Sequence, residues 1–219
     1  YVPLLELDNG DRLSEGPVIV QYVADQAPAS GLAPAAGTMA RYRLMEWLNF
    51  TTSELHKSFS PLFNPAVPEE AKAVFRAKLA DRFKWVDEQL EGRSYLTGET
   101  FTVADGYLFT VINWCPCVGV DIGSLANLGA YMARVAARPA VQAAMKAEGL
   151  LKWAEGGWQA RSGGRTRLGF QQALAGAALG VGGVDLSAAA IQPGLQPPQA
   201  GVVLTVTVPH QEFLASALK

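Results

Sequence analysis

Thr102-Val103-Ala104-Asp105 introduces the segment that leaves this chain the fewest folds. A threonine with an acid three residues on reads as a capping box: the hydroxyl caps a helix start and the carboxylate reaches back to the cap's N–H. The helix that follows, residues 106–114, is apolar nearly all round. A helix without a polar face must be enclosed on every side, which places it in the middle of a helical bundle. Enclosing helices are legible around it. Over residues 39–59, Leu44, Leu48, Leu55 and Phe59 line one face, and over 68–90, Phe75, Leu79, Phe83, Val86 and Leu90 recur at steps of 4, 4, 3 and 4. Arg76, Lys78, Arg82 and Lys84 fall between the latter, and Pro68, Glu69 and Glu70 make an ordinary first turn. Two further helices, 125–137 and 140–147, are separated by Arg138-Pro139.

Ahead of the bundle the pattern changes. Short extended runs at Leu4-Leu5-Glu6-Leu7 and Arg12-Leu13 flank Asp8-Asn9-Gly10-Asp11, a strong local hairpin signal. Gly16-Pro17 opens a short helix, Ile19, Tyr22, Val23 and Gln26 follow at helical spacing, and Pro28 stops it. The first residue, Tyr1, already lies in a strand-like run with no initiator methionine, so the sequence reads as though its beginning had been removed. Near Trp153 the character changes again. Residues 153–219 hold only 7 of the 38 charged residues but 11 of the 22 glycines, and read as an extension of unclear structure, a fusion or an out-of-frame ending. Its one good strand signal is the β-branched run over 202–208, for which the tail offers no partner.

Composition removes several functions. With 18 Lys+Arg against 20 Asp+Glu and a net charge of −2, there is no basic footprint for nucleic acid. No apolar run is long enough for a membrane helix, and no export signal is legible, so a soluble cytoplasmic protein is expected. Cys115-Pro116-Cys117 is too closely spaced for a disulfide framework and lacks a second Cys/His pair for zinc, so no metal is assigned.

Three groups of residues carry candidate chemistry, each with a plainer reading beside it. Asn49, Ser53 and His56 fall at steps of +4 and +3 on the 39–59 helix, either a polar stripe that can bond a ligand or the solvated face. Glu15-Gly16 at a helix start can hold a zwitterionic amino-acid head group, with the ammonium on Glu15 and the carboxylate on the Gly16 N–H, or be an ordinary helix start. Trp114 faces a ligand or closes the core.

Taken in order, Val2-Pro3, Ser14-Glu15-Gly16, Gln21-Tyr22-Val23-Ala24-Asp25, Glu46-Trp47-Leu48-Asn49-Phe50, Glu54-Leu55-His56-Lys57, Gly98-Glu99-Thr100-Phe101-Thr102-Val103-Ala104-Asp105, Tyr107-Leu108-Phe109-Thr110 and Arg138-Pro139-Ala140-Val141-Gln142 resemble the bacterial beta-class glutathione transferases over residues 1–152. The resemblance implies a mainly α chain: a ββα remnant of a thioredoxin-like domain over 1–30, an all-helical C-terminal domain over 38–152, and the extension 153–219. It implies that the βαβ half with the family's catalytic cysteine is absent, and that Cys115 and Cys117 do not replace it. By the same resemblance, Val2 pairs with the cysteinyl part of glutathione and Pro3 is the cis-proline. Glu15 and Gly16 hold the γ-glutamyl group, and Asn49, Ser53, Glu54, Leu55 and His56 supply contacts from the helical domain, some across a homodimer. His56 stands near the reactive sulfur, assisting proton transfer or favouring the thiolate, and Trp114 borders the pocket for a hydrophobic electrophile.

Two functions from different classes follow. One is a glutathione transferase that conjugates the thiolate to electrophiles in its complete form, with glutathione as substrate and no metal. The other is a non-catalytic helical interaction module or remnant from a truncated or frame-shifted gene. The expectation for this chain is weak glutathione binding without conjugation, because half the cradle is missing and the ββα unit keeps an unpaired strand edge.

Overall fold

In the computed structural model, residues 3–147, 150 and 205–207 are described. Strands β1 (Leu4–Glu6) and β2 (Arg12–Ser14) pair antiparallel, Leu5 facing Leu13. The expected hairpin turn is present: Asn9 Oδ1 accepts the Asp11 N–H at 3.0 Å and Gly10 takes φ 85°, a conformation open to glycine.

Helix α1 (Gly16–Gln26) has two working faces. Ile19 and Val23 pack with Leu5 beneath the sheet, while Val20 and Ala24 enter the main helical core. This double engagement fixes the strand unit on the bundle. Polar links reinforce it: the buried Arg41 pairs with Asp25 and donates to the Pro34 carbonyl at 2.7 Å, and the Val103 N–H donates to the Leu32 carbonyl at 2.9 Å.

The bundle starts with α2 (Met39–Phe50), whose cap Thr38 accepts the Arg41 N–H at 3.2 Å. It runs through a π-helical turn at Thr51–His56 into α3 (Lys57–Phe63). Then come α4 (Glu69–Gln89), α5 (Val103–Ile112), the single turn α6 (Cys115–Val118), α7 (Ala126–Ala136) and α8 (Pro139–Ala147). Leu44, Leu48, Leu55, Phe59, Leu79, Phe83 and Val86 are all essentially inaccessible, as their periodicity required. The central helix is α5, where every residue except Tyr107 is buried.

One expectation is overturned. Strand β3 (Thr205–Thr207) runs parallel to β1, with Leu4 beside Thr205 and Glu6 beside Thr207, so the sheet order is β2-β1-β3 and β1 is its middle strand. The strand in 202–208 does have a partner, and β1 has no open edge. The tail could not reveal this, because the partner lies at the opposite end of the chain. The rest of the reading for 153–219 falls outside the described residues.

Candidate functional site

The helix that carries His56 is not a uniform α-helix. Hydroxyls at Thr52, Ser53 and Ser58 donate back to the carbonyls of Leu48, Asn49 and Glu54 at 2.9, 3.0 and 2.8 Å. Such side-chain bonds compete with the backbone ladder and bend or loosen it. The local result is a wider turn in which the Lys57 N–H reaches the Thr52 carbonyl, five residues back. The face assignment from α-helical spacing is corrected accordingly. Asn49 and Ser53 are exposed, whereas His56 shares its side of the helix with Thr52, and both meet Tyr107 of α5.

Around His56 the contacts converge. Its Nδ1 lies 2.7 Å from the Tyr107 hydroxyl, and Thr52 Oγ1 lies 3.4 Å from the same oxygen. The indole of Trp114 meets the imidazole edge-to-face at 4.7 Å and packs similarly on Phe59 and Phe63 at 5.5 and 6.0 Å. Trp114 is buried, and its Nε1–H finds no acceptor among the described residues. Burial, aided by the Lys57 charge, lowers His56 to about 4, while the nearby Glu15 carboxylate opposes that shift. Burial and the Glu15 charge both raise the Tyr107 phenol, so it stays protonated. Glu15 therefore acts on both rings, although it comes from the strand unit.

Glu15 reaches this place through an unusual backbone. It is the one non-glycine residue with positive φ among the described residues, at φ 71° and ψ 113°, and it forms the junction between β2 and α1. Strained residues of this kind collect at functional sites. Gly16 follows, with Pro3 Cγ only 3.7 Å from where a side chain would begin.

The sequence-predicted residues thus divide. Glu15, Gly16, His56 and Trp114 gather at one end of the bundle. Leu55 points wholly into the core, and Glu54 turns to α4, where it accepts from Arg82 at 2.9 Å and meets Lys78 at 3.6 Å. The Arg82 hydrogen bond lowers the Glu54 carboxyl below its usual range. Val2 lies outside the described residues. Tyr107 and Thr52 were not singled out. The available signal was a phenol on a helix otherwise apolar, since a half-buried tyrosine hydroxyl needs a partner.

Among curated proteins, the glutathione S-transferase GstA of Escherichia coli O157:H7 is 45% identical to this chain over 149 residues, which are 68% of this chain and 74% of that protein. The chain belongs to the glutathione S-transferase family. Residues 50–139 match the family model described as glutathione S-transferase, C-terminal domain. A sphingomonad glutathione S-transferase complexed with glutathione superposes with a TM-score of 0.66 at 49% identity, covering 68% of this chain and 75% of that one. A bacterial beta-class glutathione S-transferase from Sphingomonas chungbukensis gives 0.66 at 46% identity over the same shares. The mainly α glutathione S-transferase fold expected from the motifs is therefore present.

Within this family setting the cysteines matter by their position. Cys115 is buried, and burial pushes its thiol far above the ordinary range; Cys117 is exposed, and loss of part of its hydration raises its thiol as well. Neither is poised to be a thiolate nucleophile. Among the described residues, no cluster of three or more His, Cys, Asp or Glu can hold a metal ion. Among the described residues, no helix is long and apolar enough to cross a membrane.

Proposed function

We propose that this chain holds glutathione in a site that, in a complete glutathione transferase, presents the sulfur to a hydrophobic electrophile for conjugation. The observation that carries the reading is the convergence of Glu15, from the strand unit, with His56, Tyr107 and Trp114 of the bundle. A carboxylate at the start of α1 suits the γ-glutamyl ammonium, and the Gly16 N–H suits its carboxylate. By the resemblance alone, Val2, outside the described residues, is assigned to the cysteinyl part. Asn49 and Ser53 lie on the exposed side of the same helix, available to the remainder of the peptide or to a partner subunit. The sulfur then lies by His56, and the aromatic wall of Trp114 and Phe63 takes the electrophile. With both protein cysteines held as thiols, the nucleophile is the glutathione sulfur itself.

Calorimetry with glutathione, paired with a turnover assay on an aromatic halide, tests this. Weak saturable binding without turnover, weakened further by Glu15→Gln and by His56→Ala, is expected of this chain. Turnover by this chain would overturn the expectation that half the cradle is missing from it; no binding refutes the site.

A homodimer belongs to the same proposal. Met39, Tyr42, Met45 and Trp85 are exposed, and Trp85 packs at a tilt on Trp47 and Phe50, at 5.5 and 4.7 Å, to extend an aromatic face. Light scattering should give twice the chain mass, and Tyr42→Glu should halve it.

A further inference from the structure

We propose that Tyr107 is a positioning residue: its hydroxyl donates to His56 Nδ1, which fixes the imidazole proton on Nε2 and makes His56 a hydrogen-bond donor to a bound sulfur anion rather than a base. The inference rests on the glutathione reading only in naming the anion; the tautomer follows from geometry in the chain itself.

Three oxygens and one nitrogen share the available protons. The Thr52 hydroxyl has a single proton and lies 2.9 Å from the Leu48 carbonyl, which can only accept, so that proton is committed there. Tyr107 Oη is 2.7 Å from His56 Nδ1 and 3.4 Å from Thr52 Oγ1. If Nδ1 carried a proton and donated to Tyr107, the hydrogen bond left to the phenol proton among the described residues would be the one to Thr52. At 3.4 Å that is far beyond the usual 2.7–2.8 Å of an O–H···O bond. The proton of a half-buried phenol would then lack a well-placed acceptor. The reverse arrangement gives the Thr52 proton, the phenol proton and Nδ1 each a partner and leaves Nε2–H free for a ligand, and it matches a phenol that is the stronger acid with an imidazole nitrogen that is the stronger acceptor. Separation of 2.7 Å also suits a hydroxyl donor better than an N–H donor.

The ring has little freedom to choose otherwise. Trp114 meets it edge-to-face at 4.7 Å and Tyr107 at 5.9 Å, and burial keeps it neutral. A neutral imidazole with Nδ1 engaged has one remaining function at Nε2, donation. Proton transfer from the thiol to His56, one of the two roles the resemblance implied, is closed to this tautomer.

Nitrogen NMR of the full chain labelled at histidine tests the proposal, with His210→Gln identifying the His56 signals. A single neutral tautomer with bare Nδ1 and protonated Nε2 is expected in the unliganded chain. Tyr107→Phe should give a mixture of tautomers with unchanged helical circular dichroism, and Thr52→Val should leave the wild-type pattern. Protonated Nδ1 in the wild type, or an unaltered pattern in Tyr107→Phe, overturns the assignment. Because these spectra need no ligand, failure to bind glutathione would refute the proposed function and leave the tautomer result standing. Where glutathione binds, its bound thiol should titrate about one pH unit higher in Tyr107→Phe than in the wild type. An unmoved thiol beside a disordered tautomer would refute the donor role.

Discussion

The carboxylate of Asp105 accepts both the backbone N–H and the hydroxyl of Thr102, at 2.8 and 2.9 Å, inside a site with no access to solvent. The same carboxylate takes the Leu96 N–H at 2.9 Å and the Tyr131 hydroxyl at 3.3 Å. The capping box that opens the central helix is therefore also the polar knot joining α5, α7 and the preceding loop. Asp105→Ala leaves three buried donors without this acceptor, while Tyr131 keeps the Asp105 carbonyl at 3.1 Å, and should cost about 3–5 kcal/mol. Thr102→Ala should cost about 1–2 kcal/mol, and the double variant far less than the sum. Urea unfolding of the three variants measures this; additive losses would show the two residues act separately.

Acid should weaken the fold through His56. Its folded value near 4 lies below the ordinary 6.5, so the unfolded chain takes up a proton first as pH falls. Stability from the neutral buried ring is complete above pH 6.5 and is lost between there and pH 4, to a limit of about 3 kcal/mol. His56→Gln should flatten that part of a stability–pH curve. Asp105, raised by burial, favours the protonated native state and acts in the opposite sense, so the His56→Gln difference curve is the quantity to measure.

At Glu15 stability and binding should separate. Its positive φ costs of order 1–3 kcal/mol, and glycine removes that strain while adding freedom to the unfolded chain. Glu15→Gly should gain about 1 kcal/mol in thermal unfolding yet weaken glutathione binding about tenfold or more. Glu15→Gln should lose the binding without the gain, and equal melting behaviour of the two would remove the case for strain.

Trp114 should tolerate one shortening and not another. Phenylalanine keeps the edge-to-face packing on His56 and Phe59 and discards a buried N–H without an acceptor, so Trp114→Phe should cost less than about 1.5 kcal/mol. Trp114→Ala opens a cavity and should cost about 3–5 kcal/mol. In turnover assays of a complete form, Trp114→Ala should raise KM for the electrophile more than for glutathione.

Much of this architecture is legible in the residues, and the exceptions have common physical causes. The heptad-like run in α4 and the all-round apolarity of α5 are local patterns, decided by side-chain period alone. The turn at Thr51–His56 is decided by which hydroxyls bond back to the helix, and α-helical spacing then misplaces Ser53 relative to His56. Glu54 looked available to a ligand because its partners Arg82 and Lys78 stand on another helix. Tyr107 was hidden by the same apolarity that identified its helix.

The pairing of Leu4 with Thr205 has a kinetic meaning. Those residues are 201 positions apart, so closing that loop from an open chain carries an entropy cost of about 5 kcal/mol, against three residue pairs of reward. The helices close their contacts over shorter separations, such as the 51 residues between His56 and Tyr107, at a smaller cost. The order of assembly is thereby set: the bundle forms first, α1 docks the hairpin onto it, and the third strand arrives last. Amide exchange should follow the same order in reverse, with the bonds between Leu4–Glu6 and Thr205–Thr207 opening while the centre of α5 stays closed.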